Sequence, residues 1–471
     1  MWIPELKEVG RPVHRGLART IERAIENGTL TTGDRLASQR EFAFRLGVTV
    51  TTVNRAFNLL GLAGLIVSRV GRGSYVRAFP EDLRDTVSVE RADFGDNSSL
   101  VAPLNDFMNR AFGSIARRKS LSALLEYHDM GTITSHRRAA AQWLSRRGLI
   151  VPDDWIILSE DGRNALISLL MSLAQKKRRI LAAGYGPEGL RSALAFHGVV
   201  PETTHLLPAS ISREALRDLG KVGAFWCAPT GHEPTNAVMP FDQRLILAEW
   251  ATARDCILIE DDTNGHLSGD RSPPLAMLAP QQSVYITGML KSLTPGLPIC
   301  IIVMPPRLQQ IFRPAIEASN WRSPMLAGEI FATLVVDGTA DRLLASHRST
   351  ARERLAIVRR IPQLSRFVPP IESNHLWIPL PPSCHDGQLA RDLAVQGIIV
   401  VPSSVFALSD HQPPAIRVSL TAIRAPEELH AQLKRLANAL PNCMVQATQY
   451  LPLGPECTPY NDPHAETERK P

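Results

Sequence analysis

The chain has 471 residues, 44% of them hydrophobic and 21% charged, with a formal net charge of +6. That length accommodates two or three domains with a sizeable core, and the composition is that of an ordinary water-soluble protein. It shows no apolar run of transmembrane length, and the N-terminus MWIPELKEVG lacks the hydrophobic stretch of a secretion signal. Six cysteines are scattered without a CxxC pair, which excludes a disulfide-built scaffold and reads as free core thiols in a reducing cytoplasm.

The charge is uneven. Residues 1–78 hold 12 Lys plus Arg against 6 Asp plus Glu, a net of +6 equal to that of the whole chain, so the remainder carries 40 of each sign. A basic head on a neutral body points to a separate nucleic-acid-binding module.

In chain order, residues 13–27 place Leu17, Ile21 and Ile25 at helical spacing and stop at Gly28. Ser38 caps a second helix, Glu41 completes a capping box, and Phe42, Ala43 and Leu46 form its inner face. After Gly47-Val48, Thr49 caps a third helix over residues 50–63 with Val53, Ala56, Leu59 and Leu60 inward. Two short helices joined by a glycine turn make a helix-turn-helix, the later one entering the DNA groove. Residues 66–68 and 74–77 then flank Arg69-Val70-Gly71-Arg72-Gly73, a hairpin with a basic tip.

Residues 79–102 are aperiodic and rich in acids and serine, and read as a linker. Residues 104–125 and the run HDMGTITSHRRAAAQWLSRRGL are helical. Strand candidates follow at 156–158, 179–182, 222–228, 256–259, 284–286 and 299–304, and intervening helical stretches make this a doubly wound α/β sheet. The strand at 256–259 ends in Glu260-Asp261-Asp262, where ligands bind in such sheets. Lys291 sits on a short connection between two apolar runs. Such a lysine is ordinarily a solvated loop residue. The sharper reading is a Schiff-base lysine, since flanking Leu290 and Leu293 desolvate its amine and lower its pKa. An acid that keeps a pyridine nitrogen protonated and an amine that forms the aldimine are what pyridoxal phosphate requires. A metal is the competing reading of the three acids, but no His or Cys cluster with ligand spacing accompanies them. Gly184 to Gly189, GYGPEG, fits G-x-G-x-x-G, although Pro187 suits a turn better than a dinucleotide loop. His136, His232 and His266 are acid/base candidates or structural histidines. Residues 443–471 are Pro-rich and aperiodic, a disordered tail.

The text GDRLASQREFAFRLGVTVTTVNRAFNLLGLAGLIVSRVGRGSYV resembles the winged helix-turn-helix of GntR-type bacterial regulators. The resemblance implies that Arg40, Thr49, Thr51 and Thr52 touch operator DNA, with the wing at Gly71 and Arg72. Val50 stands where the family often carries a base-reading arginine, a contact worth about 1–3 kcal/mol of discrimination. Asn54 and the threonines then read an A·T-richer site, and Arg40, Arg55, Arg69 and Arg72 supply phosphate contacts.

Residues 100–440 resemble fold-type I aminotransferases: a CAPTGHEPTNAVM turn at 227–239, then the Glu260-Asp261-Asp262 strand end, then Met289-Leu290-Lys291. NHLWIPLP, GIIVVPSSVFA and AIRVSL complete a small C-terminal α+β domain. Fused to a GntR head, this arrangement is similar to the MocR subfamily. The resemblance implies a winged helix-turn-helix over 1–78, a linker over 79–102 and an aminotransferase-like domain over 103–442. It also implies pyridoxal phosphate held as an aldimine on Lys291, Asp261 on the pyridine nitrogen, Tyr185 stacked on the ring and Arg417 clamping a carboxylate.

Departures are equally informative. The family's phosphate contacts fall on Asp161-Gly162, Gly288 and Pro298, its asparagine for the phenolic oxygen is Glu233, and its tyrosine three past the pyridine acid is Asn264. Each lost charged hydrogen bond removes roughly 1.5–3 kcal/mol. Gly162 and Arg163 still offer backbone amides and one guanidinium, so weakened or lost cofactor binding is predicted. The resulting expectation is a cytoplasmic, homodimeric transcription regulator that grips double-stranded operator DNA. A small amino compound or pyridoxal phosphate closes the large domain and shifts the spacing of the paired heads. The alternatives are a working aminotransferase with a DNA-binding head and a cofactor-free regulator.

Overall fold

The computed structural model describes residues 2–4, 9, 12–26, 29–31, 34–62, 65–69, 73–76, 92–97, 104–117, 122–126, 133–206, 210–319, 324–410 and 412–440. The chain divides into two units, Met1–Arg91 and Ala92–Pro471.

In the first unit, α1 (Val13–Glu26), α2 (Gln39–Leu46) and α3 (Val50–Leu62) precede a hairpin of β1 (Ile66–Arg69) and β2 (Gly73–Val76). Ser38 Oγ accepts the Glu41 amide at 3.1 Å and so caps α2, while the Glu41 carboxylate receives Arg45 Nε at 3.1 Å. Gly47, at φ 63°, closes α2 in the left-handed conformation that lets its N–H reach back to the last turn. Thr49 Oγ1 then caps α3 by accepting the Thr52 amide at 3.2 Å. The core is built from Leu17, Ile21, Phe42, Leu46, Val53, Ala56, Phe57 and Leu60. One inward assignment is corrected: Leu59 is 39% exposed, whereas Ile25 is half-buried and packs against this core. Positions 53, 56, 57 and 60 fill one helical stripe, and Leu59 lies off it, with Phe57 taking the core place. In the hairpin Ile66 pairs Val76 and Arg69 pairs Gly73, and the amides of Leu36 and Val76 tie the segment before α2 to its outer edge. The wing tip with Gly71 and Arg72 lies outside the described residues, as does the tail at 443–471.

The second unit contains a seven-stranded sheet of β4 (Ile156–Ser159), β5 (Ile180–Ala182), β6 (Glu202–Thr203), β7 (Ala224–Cys227), β8 (Ile257–Asp261), β9 (Ser283–Gly288) and β10 (Cys300–Val303), in the order β4-β10-β9-β8-β7-β5-β6. The run from β9 to β6 is parallel, and β10 is antiparallel to both its neighbours. Parallel strands buried on both faces are continuous apolar runs, which is why all six strand candidates begin and end within two residues of the observed bounds. β6 is two residues long and carries no apolar run of its own. The expected helix at 104–125 is broken: α4 (Leu104–Ala116) ends early and a 3-10 turn, Ser122–Leu125, follows. α5 (Thr134–Leu144) buries Trp143 and Leu144, and α6 (Gly162–Gln175) packs on the sheet after β4.

A smaller sheet joins β11 (His375–Pro379), β14 (Ala415–Ser419) and β13 (Val401–Pro402), beside a two-residue strand β12 (Ile398–Ile399). Here the linker assignment is corrected. β3 (Ala92–Asp93) pairs with β12 in parallel, Ala92 and Phe94 are fully buried in the small-domain core, and the Ser419 amide bonds Phe94 O at 3.0 Å. Residues 92–97 are thus part of the body: one buried aromatic and three backbone bonds to its strands anchor them.

Candidate functional site

Strand parity decides which of the three acids after β8 reach the ligand side. Side chains alternate across a sheet, so Ile257, Ile259 and Asp261 share one face while Leu258 and Glu260 share the other. Glu260 is buried and accepts the amides of Leu275 and Ala276 at 3.0 and 2.8 Å. Asp262, one residue beyond the strand, is fully buried against Arg147 Nε (3.0 Å) and Tyr285 Oη (2.8 Å). Both are structural. Asp261 alone lines the cavity at the carboxyl ends of β8 and β9, using Oδ1 to accept Thr263 N and Oγ1 at 3.1 and 2.7 Å. Burial raises its carboxyl pKa, with the Thr263 bonds opposing.

That cavity measures about 570 Å³ and is lined by residues of β7, β8 and β9, of the turns that follow β4 and β8 and join β9 to β10, of the 92–97 segment and of β14. Lys291 lies on the β9–β10 connection as expected, 5% exposed, and it faces Glu233 rather than Asp261. Its Nζ donates to the carbonyl of Asn97 and stands 3.8 Å from Glu233 Oε2. Arg417 Nη1 donates to Glu233 Oε1 at 2.9 Å and its Nη2 to Gly95 O at 2.8 Å. Asn97 Nδ2 reaches the same Glu233 oxygen at 3.2 Å. The Arg417 guanidinium also stacks over Phe406, 4.8 Å from the ring centroid, and its Nε has no hydrogen-bond partner. One carboxylate therefore holds both cations of the cavity's inner wall.

The loop carrying Glu233 is fixed by its own polar groups. His232 N bonds Ala237 O, Asn236 N bonds His232 O, and Asn236 Nδ2 donates to His375 O at 3.0 Å. His375 Nε2 pairs with Pro234 O at 2.8 Å. Burial works against the Glu233 charge, but Lys291, His375 and Arg417 overcome it and hold the carboxyl at about 2. Burial pushes the Lys291 amine below its ordinary value, with Glu233 opposing. His375 and His232 are both driven by burial down to about 4.

The opposite wall is the start of α6. Asp161 is its N-cap, with Oδ1 accepting the Asn164 amide at 2.8 Å. Gly162 lies close enough to the sheet that a Cβ would meet Cys300 Sγ at 3.4 Å, Arg163 is exposed, and Gly288 opens onto free space. Asn264 donates to Gly231 O at 2.8 Å. Tyr185, assigned to the ring face, is not on the cavity wall: its hydroxyl bonds Pro413 O and its ring edge meets Trp377 at 5.2 Å. Trp226 lines the cavity instead, on the same face of β7 as Ala224. A Cβ on Gly186 would come within 2.5 Å of the Trp226 ring and one on Gly184 within 1.9 Å of Gln412, so these glycines of GYGPEG serve close packing. His136 is buried against Glu329 at 3.0 Å, and His266 stacks on Trp143. Among the described residues no group of three or more His, Cys, Asp or Glu is placed to hold a metal ion.

In the head, Thr49, Val50, Thr51, Asn54 and Arg55 are exposed on the outer face of α3, and Arg40 is exposed on α2. Thr52 is half-buried, its hydroxyl 2.9 Å from that of Thr49.

The gntR family of bacterial regulatory proteins matches residues 14–76. The body has the fold of an archaeal alanine:glyoxylate aminotransferase, with a TM-score of 0.66 at 18% identity over 76% of this chain and 92% of that one. Residues 14–76 are therefore a GntR-type helix-turn-helix, and the body has an aminotransferase-like fold. It is 26% identical to the HTH-type transcriptional regulator YdeF of Bacillus subtilis over 93% of this chain and 96% of that protein. It is 23% identical to the probable rhizopine catabolism regulatory protein MocR of Rhizobium meliloti over 78% and 84%. In this arrangement it matches the MocR subfamily.

The residues of the cavity do not fit pyridoxal phosphate. A phosphate dianion needs the free amides of a helix N-terminus and at least one cation. Here the Asp161 carboxylate caps that terminus, Gly288 and Pro298 bring no side-chain donor, and only exposed Arg163 is cationic. At the other end the Lys291 amine is held by Asn97 and Glu233.

Proposed function

We propose that the chain is a cytoplasmic transcription regulator whose head binds double-stranded operator DNA and whose body dimerises it and senses a small amino compound. The observation that carries this reading is the outer face of α3: Thr51, Asn54 and Arg55 are exposed on a capped helix whose other stripe is fully buried. Asn pairs with the adenine edge, threonine methyl groups with thymine, and Arg40 and Arg55 with phosphates. A dimer presents two such helices and reads a two-fold related pair of half-sites. Among the described residues no helix is long and apolar enough to cross a membrane.

An aminotransferase activity is not supported, because catalysis on that cofactor needs its phosphate anchored and the lysine amine available, and the chain's own carboxylates oppose both. The body serves as an effector and dimerisation domain that lacks the contacts to hold pyridoxal phosphate. Selection of bound duplexes from a random library by the full-length protein, followed by sequencing, tests the regulator reading. An enriched, two-fold symmetric A·T-containing motif is expected. Binding that shows no sequence preference and no response to Asn54→Ala or Arg55→Ala contradicts it.

A further inference from the structure

The inner cations of the cavity already face the chain's own acids, Glu233 directly and Asp96 nearby. Lys291 and Arg417 share Glu233, and Lys291 Nζ and Arg417 Nη2 also reach the backbone carbonyls of Asn97 and Gly95. The rest of the lining is acidic: Glu160, Asp161 and Glu188 are exposed on its wall and Asp261 lies at its floor, against the single exposed cation Arg163. Asp261 and Asp161 each use only one oxygen in hydrogen bonds, on Thr263 and Asn164 respectively.

A second observation is independent of this acid count. Asn97, 8% exposed and on the cavity wall, gives both protons of Nδ2 to Glu233 and His375, and its Oδ1 has no partner. Leaving a buried acceptor unmatched costs about 1–3 kcal/mol, so a donor is wanted at Asn97, while the unmatched Nε of Arg417 belongs to a guanidinium stacked on Phe406. An anion meets unfavourable charge on entry, whereas a donor-bearing cation is drawn in and relieves the unmatched acceptor.

We propose that the cavity takes a small organic cation, an amine or amidine without phosphate or carboxylate groups, with Glu233 acting as the chain's own anion on Lys291 and Arg417. The ammonium or amidinium donates to Asp261 and Asn97 Oδ1, and its apolar part lies against Trp226. About 570 Å³ is ample room for a ligand of this size. This deepens the reading of the body as an effector domain and rests on it.

The test uses the full-length protein. 1,4-Diaminobutane, benzylamine and agmatine are titrated by calorimetry and thermal shift, beside glutarate and pyridoxal phosphate, with DNA binding followed by fluorescence anisotropy in the same preparation. Saturable binding of at least one cation is expected, with no binding of either anion, and Asp261→Asn weakens the cation about tenfold. Asp161→Asn, which retains a competent N-cap, lowers cation affinity less and serves where Asp261→Asn does not fold. Binding of glutarate or pyridoxal phosphate in preference to all three cations, or no saturable cation binding, overturns the proposal. Intact DNA binding in that event leaves the regulator reading standing; loss of sequence-selective DNA binding defeats that reading instead.

Discussion

The head and the body relate differently to the proteins they are similar to. In the head the chemistry lies outside and the core only has to hold α3 in place, so exposed Thr51, Asn54 and Arg55 are free to differ without disturbing Val53, Phe57 or Leu60. In the body the chemistry lies inside a cavity, where one substitution changes the partners of every neighbour. Glu233 in place of an amide supplies the carboxylate that Lys291 and Arg417 both face. A fold can thus persist while the ligand class of its cavity is inverted, because the sheet depends on apolar runs and the site on a handful of side chains.

The largest effect that separates the two regions is on the stability of the body. Asp262→Ala leaves Arg147 buried without its carboxylate partner, bonded to Thr230 and the carbonyl of Asp270, which costs about 3–5 kcal/mol. In thermal or urea unfolding the body's transition is expected to move sharply down while the head's stays in place. A common shift of both would show that the two units do not unfold separately.

Acid stability sharpens the contrast further. His232 and His375 have folded-state values near 4 against 6.5, so the unfolded chain protonates first and the body loses stability as the pH falls from 6.5 towards 4. Glu233 is held at about 2 against 4.5. Its contribution is fully present above 4.5 and is lost as the pH falls through 2, on the order of 3 kcal/mol in all. Glu233→Gln should lower stability at neutral pH and flatten the profile below 4.5; an unchanged profile would remove Glu233 from the ion-pair cluster.

On the head, Arg40→Ala is expected to weaken binding to all duplexes alike and to reduce the slope of log affinity against log salt by about 1. Asn54→Ala instead relaxes sequence preference with little change of slope. Thr49→Ala, the smallest effect, removes the α3 cap and lowers the head's stability by about 1 kcal/mol, measurable as a shift of its unfolding midpoint alone.

Much of this architecture could be read from residue patterns. Apolar runs gave the core strands nearly to the residue, Thr49 and Ser38 gave the caps, and the turn at Lys291 was placed correctly between β9 and β10. What escaped depends on pairings distant in sequence. Residues 92–97 look like linker because two residues of strand and one aromatic leave no period, yet their carbonyls meet Lys291 and Arg417. Glu233 was legible as a lost amide but not as a new partner for Arg417, 184 positions away. Trp226 is legible from the parity of β7, which puts it on the face of Ala224, whereas the Tyr185 hydroxyl bonds Pro413.

The most direct test of the altered cavity is a spectrophotometric titration of the full-length protein and of Lys291→Ala with pyridoxal phosphate. The account predicts the same featureless difference spectrum for both, in protein that still binds its DNA. A saturable visible band present in the parent chain and abolished by Lys291→Ala would contradict it.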